Sequence, residues 1–206
     1  MAVVTRNPEM AKTDGLIMWI DSPAPHELDQ RAQRIYAELA DDQGRVDGIM
    51  RAHALRPHTL EGHLKLYRSV LGHPRNKLPH WFMETIGVLV SRLNGCKYCV
   101  AHHRKGLLKS LDDKSRLDKI LKWLDKPDDI PPKVFSDKER LALIYAGNLT
   151  VAPTQIHEDQ LAELRGAGWT DGEILEINQV AAYFAYANRT VMGLGVQIEA
   201  WHDEDD

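Results

Sequence analysis

Glu84-Thr-Ile-Gly-Val-Leu-Val-Ser-Arg-Leu-Asn-Gly-Cys96-Lys-Tyr-Cys99-Val-Ala-His-His103 is the stretch on which the fold turns. Its first half reads as an apolar helix: between Met83 and Leu93 the only charged residues are Glu84 and Arg92. A carboxylate in such a helix must reach water or be held by partners, because burying it unpaired is costly. Asn94-Gly95 then interrupts the helix, glycine being the residue that most readily takes the left-handed conformation a helix end needs. Cys96 opens the next helix. At about 100° per residue, Cys99 lies at about −60° and His103 at about −20° from Cys96, so all three share one face; His102 falls outside that arc, at about −120°. Val100, Leu107 and Leu111 continue the face as an apolar stripe, which puts the thiols at the border of the core.

The same helical periodicity runs outward in both directions, with no sustained period-2 alternation and no hairpin turn between β-branched runs, so the fold class is all-α. The pattern predicts helices over about 27–40, 47–55, 59–71, 79–93, 96–111 and 113–124, each bounded by Pro, Gly or a capping residue. Lys126-Pro-Asp-Asp-Ile-Pro-Pro132 is the one Pro-rich break. Beyond it, Ser136-Asp-Lys-Glu139 and Thr170-Asp-Gly-Glu173 have the form of capping boxes, opening helices to about Asn148 and Met192, with a third helix over about 154–165 between them. The last is apolar on most sides, as a helix central to the core would be. In it, Glu176 and Asn188 repeat the spacing of Glu84 and Cys96, a weak echo of a helix-pair repeat. We read residues 1–206 as a single domain, with an N-terminal extension over about 1–25 and a mobile acidic tail over about 202–206.

Composition excludes several function classes. With 26 Lys and Arg against 30 Asp and Glu, net charge −4, no basic stripe is available to a phosphate backbone, and nucleic acid is not an expected partner. The apolar run Gly15-Leu-Ile-Met-Trp-Ile20 has an acidic entry and is too short for a signal core or a membrane span, so no membrane is expected and the expected location is cytoplasmic. The two cysteines sit three apart and cannot staple distant parts of the chain. A disulfide between them would be local and chemical in purpose.

A thiolate is the reactive form of cysteine, and a helix N-terminus, a nearby imidazole and a CxxC arrangement each favour it. Two cysteines in a helical core are often packing, and Cys96, Cys99 and His103 could also supply three zinc ligands, with His102 or Glu84 as a fourth. Structural zinc sites usually draw ligands from two separate pieces of backbone, and no second pair exists here. The redox reading is therefore preferred, with no metal and no cofactor.

At these residues the chain resembles the alkylhydroperoxidase-D-like superfamily, which includes carboxymuconolactone decarboxylases. The family pattern is a Glu, the first Cys of CxxC twelve residues on, and a His four after the second Cys, met by Glu84, Cys96, Cys99 and His103. Ser136-Asp-Lys-Glu-Arg-Leu-Ala-Leu-Ile-Tyr-Ala146 and the segments Trp169–Asn178, Ala187–Arg189 and Gly193–Val196 look like its peroxidase-related branch, so the likeness covers about residues 30–200. The resemblance implies a helical bundle that reduces organic hydroperoxides or hydrogen peroxide. In it Cys99 attacks the peroxide, Cys96 resolves the sulfenic acid into a disulfide, Glu84 and His103 relay protons, and a dithiol or disulfide-reductase donor restores the thiols. It also implies a homo-oligomer, a trimer or hexamer. Helix-terminus electrostatics alone point the other way on one matter, making Cys96 the more acidic thiol. Tyr98 stands where the best-studied members carry a histidine between the cysteines. Lactone decarboxylation through Glu84 and His103, or a redox sensor whose disulfide alters packing, are the rival functions.

Overall fold

Several helices start where a side-chain oxygen accepts from the free N–H groups of the first turn; among them, Asp29 caps α1, Gln30–Leu39; Ser136 caps α7, Asp137–Val151; and Thr170 caps α9, Asp171–Leu194. The last two are full capping boxes, with Glu139 and Glu173 returning to the cap. In the computed structural model, which describes residues 17–125 and 134–205, the other helices are α2 (Gly48–His53), α3 (Pro57–Leu71), α4 (His80–Leu93), α5 (Lys97–Leu111), α6 (Lys114–Asp125) and α8 (Glu158–Gly166). No strand occurs among the described residues. The all-α expectation and its helix order hold, with shifts at the ends. The first helix begins at Gln30 because Asp29 caps it, and the stretch from Thr154 is held back by a 3-10 turn at Pro153–Gln155. The Pro-rich break and most of the N-terminal extension lie outside the described residues.

α4 is the hub, packed against α5, α7 and α9. Its apolar composition follows: Phe82, Met83, Ile86, Val88 and Val90 are all buried. The tightest approach is to α9, where a Cβ on Gly87 would come within 2.2 Å of the Phe184 ring. Phe184 is completely buried and packs edge-on against the His103 ring, with centroids 4.5 Å apart. Gly87 therefore sets the helix spacing and, through Phe184, the seat of an imidazole. Gly87→Ala should cost about 1–3 kcal/mol, the usual penalty of overpacking a core, read as a lowered denaturant midpoint. An unchanged midpoint would mean that α4 and α9 separate freely.

The hairpin between α4 and α5 closes as the sequence predicts. Gly95 takes φ +73°, its N–H donates to the Arg92 carbonyl at 3.0 Å, and the Cys96 N–H donates to the Ser91 carbonyl at 2.8 Å. This paired closure occupies the Ser91 and Arg92 carbonyls near the end of α4 and turns the chain back on itself. Cys96 is the residue that caps α5 and Cys99 lies in its first turn. At the other end of the chain, the Trp19 N–H donates to Leu194 and the Gln197 N–H donates to Ile17, each at 2.8 Å. These bonds tie the N-terminal segment to the chain leaving α9. Among the described residues no helix is long and apolar enough to cross a membrane.

Candidate functional site

Antiparallel packing of α4 on α5 brings Glu84 back to His103, nineteen residues later, with Oε2 2.7 Å from Nδ1. Glu84 is 3% exposed, and its other oxygen lies 3.3 Å from His80 Nε2, one turn earlier on the same helix. The buried carboxylate is thus held by partners, as burial demands. Gly106 makes the room: a Cβ there would lie 2.9 Å from Glu84 Oε1 and 3.0 Å from its carboxyl carbon. Gly106 follows His103 by three residues and Cys99 by seven, so one face of α5 carries thiol, imidazole and the gap for the acid.

Both cysteines are reduced and buried. They are not equivalent. Cys96 is held below the ordinary thiol range, at about 7, first by a hydrogen bond from the Cys99 thiol, against the effect of burial, and then by the Cys99 N–H, the Asn188 side chain and the Tyr98 N–H. Cys99 is pushed up, first because its proton is engaged by Cys96, then by burial and the neighbouring negative charge, with Asn188 opposing. The proton of the pair therefore rests on Cys99 and the negative charge on Cys96, in agreement with the helix-terminus argument. Asn188 is fully buried and oriented by its neighbours, its Nδ2 3.0 Å from Ser91 Oγ and its Oδ1 2.9 Å from Asn94 Nδ2. A thiolate ultraviolet absorbance should appear as pH rises through about 7 and be lost from that range in Cys96→Ser. A wild-type midpoint near the ordinary value of 9.0 would contradict this charge assignment.

Cys99 lines a partly enclosed cavity of about 210 Å³, whose walls also include Glu84, His103, Gly106, Tyr67 and Tyr183. Cys96 does not line it. All four residues singled out in the sequence are thus at one place, with Cys99 on the cavity and Cys96 behind it. Among the described residues no group of three or more His, Cys, Asp or Glu is placed to hold a metal ion.

The carboxymuconolactone decarboxylase family model matches residues 57–133, the segment that carries α3 to α6 and the whole CxxC hairpin. Over that segment the chain is similar to this family. Solved structures agree on the fold. A peroxidase-related protein from Ralstonia eutropha JMP134, described as an alkylhydroperoxidase AhpD core, superposes with a TM-score of 0.78 at 24% identity, covering 91% of this chain and 95% of that one. A peroxidase-related protein from Silicibacter sp. TM1040 gives 0.76 at 22% identity, covering 90% and 93%. The debrominase Bmp8 gives 0.69 at 16% identity, covering 92% and 95%. At these identities the likeness is one of fold. No curated protein matches the chain.

Several residues of this site escape sequence reasoning. Asn188 had a faint signal in its echo of the Glu84–Cys96 spacing, although its echo partner Glu176 does other work, accepting from the backbone N–H groups of Lys77 and Leu78. Gly106 was findable as a mid-helix glycine in register with His103. Glu199 had no signal. It lies beyond the last predicted helix, yet is 8% exposed and 2.8 Å from His102 Nε2. His102, set outside the reactive arc by the helical wheel, still lines the cavity, as do Tyr98 and Asp47.

Proposed function

We propose that the chain is a thiol peroxidase in which Cys99 attacks a hydroperoxide and Cys96 closes the disulfide. The observation that carries this is the placement of Cys99, beside the Glu84–His103 pair, on a cavity that Cys96 does not reach. Acidity and access fall on different sulfurs, and access governs the first step, since the peroxide must meet the attacking thiol in line. With Nδ1 of His103 bonded to Glu84, Nε2 is the atom left to take the Cys99 proton and return it to the departing alkoxide. The products are Cys99 sulfenic acid and an alcohol. The Cys96 thiolate then displaces hydroxide from the sulfenic sulfur, and a dithiol donor regenerates both thiols. A reducing, cytoplasmic compartment suits a pair that must return to thiols.

One equivalent of an organic hydroperoxide should remove both thiols and about 2 Da of mass per chain, reversibly with dithiol. Intact thiols, with peroxide unconsumed, would sink the reading and leave lactone chemistry through Glu84 and His103 as the better one. Disulfide formation without turnover would favour a redox sensor.

Assembly into a homo-oligomer belongs to the same proposal. Leu93, Ile144 and Val151 are 46%, 48% and 63% exposed around an apolar groove between α4 and α7. Light scattering should give a multiple of 23.4 kDa. A monomer at micromolar concentration would refute it.

A further inference from the structure

The cavity wall carries a second imidazole, His102, paired with an acid outside the lining, Glu199, and the steps above leave this couple without a role. His102 Nε2 donates to Glu199 Oε2 at 2.8 Å, and Glu199 Oε1 accepts from the Gly48 N–H at 2.6 Å and from the Tyr98 hydroxyl at 2.8 Å. The Tyr98 ring stacks on the His102 ring, with centroids 4.3 Å apart and planes 25° from parallel. Gly48 permits the close approach: a Cβ there would lie 2.8 Å from Val196 Cγ1 and 3.1 Å from Glu199 Oε1. The groups facing His102 are Tyr98 from its own helix, Glu199 and His202 from the C-terminal segment, and Asp47 from the approach to α2. Burial would raise the Glu199 carboxyl, but the hydrogen bond and charge of His102, with the Gly48 N–H, bring it down to about 2, so it is ionised throughout the physiological range.

The chemistry of the disulfide step calls for such a couple. Attack of Cys99 on the peroxide needs one proton for the alkoxide, and the Cys99 proton supplies it through His103. Closure expels hydroxide, which needs another proton, and Cys96 has none to give because it enters as a thiolate. We propose that His102 is the acid of this second step, with Glu199 and Tyr98 as positioning residues. This rests on the peroxidase reading. The S–S bond forms as the Cys99 S–O bond breaks; the oxygen leaves with the bonding pair and takes the proton from Nδ1 of the His102 imidazolium, giving water and a neutral imidazole. Nε2 stays bonded to Glu199. The dithiol donor then delivers two electrons and two protons, restoring the Cys99 thiol, the Cys96 thiolate and the His102 imidazolium. Tyr98, which departs from the family pattern between the cysteines, thus serves by holding both members of the couple.

The test separates the two half-reactions. Reduced protein is mixed with one equivalent of tert-butyl hydroperoxide, and dimedone trapping with mass spectrometry follows the Cys99 sulfenic acid and the disulfide over time. In His102→Ala the sulfenic acid should form at the wild-type rate while closure slows by roughly 10²–10⁴-fold. Free imidazole should restore closure, which a merely structural role would not allow. Glu199→Gln, which keeps a hydrogen-bonding side chain in place, should show the same split with a smaller loss. Closure at the wild-type rate in His102→Ala, loss of both steps together, or no response to imidazole would each overturn the assignment. If wild-type protein forms neither sulfenic acid nor disulfide, the peroxidase reading itself falls, and this inference with it.

Discussion

Cys99→Ser should abolish the fast reaction with hydroperoxide, whereas Cys96→Ser should react once and stall as a sulfenic acid that dimedone traps. The expectation follows from the separation of access and acidity. Cys99 lines the cavity and Cys96 does not, so in the proposed reaction the attack on peroxide falls to Cys99. Serine at position 96 removes the resolving thiolate without touching that wall. It also removes the group that holds the Cys99 proton, so the Cys99 thiol should become more acidic in this variant than in wild type. Stopped-flow loss of peroxide, with mass spectrometry of the trapped adduct, measures both effects. Should Cys96→Ser lose the first turnover and Cys99→Ser keep it, the more acidic sulfur is the nucleophile and access does not govern the order.

His103→Ala should slow sulfenic acid formation by roughly 10²–10⁴-fold, the usual loss when general acid–base help is removed. Glu84→Gln should follow it, because the carboxylate holds Nδ1 at 2.7 Å and, in the proposed mechanism, leaves Nε2 to transfer the proton. Both substitutions alter a titratable group, so a third variant isolates position from charge. Gly106→Ala leaves every ionisable group in place, but its methyl would sit 2.9 Å from Glu84 Oε1 and must displace the carboxylate from His103. All three should lower the single-turnover rate. If Glu84→Gln lowers only thermal stability and leaves the rate unchanged, Glu84 is a satisfied buried carboxylate and no part of the relay.

Helix boundaries show where reading along the chain reaches its limit. Ser136 and Thr170 fix the starts of α7 and α9 because a capping box is complete within four residues. The stretch from Thr154 has helical periodicity too, yet α8 begins only at Glu158, after a 3-10 turn that starts with Pro153. Periodicity marks which residues would share a face. It does not mark where a preceding turn releases the backbone into a helix.

The division is the same at the site. Sequence alone determined the register of Cys96, Cys99 and His103 on one helix face and the left-handed turn at Gly95, because these are properties of a few consecutive residues with fixed rise and rotation. It also required that Glu84 have partners, since an apolar helix cannot bury a bare carboxylate. Which partners it has was decided by the tertiary structure. Placing Glu84 against His103, Asn188 against the thiols and Glu199 against His102 depends on the distances between helices, and those are set by close approaches such as Gly87 on Phe184 and Gly48 on Val196. The thiol proton is placed mainly by local contacts, helix position and the Cys99 thiol three residues on, while the Asn188 amide reaches both thiols from across the fold. Residues far apart in sequence meet only through packing, and packing is a property of the whole core rather than of any one stretch.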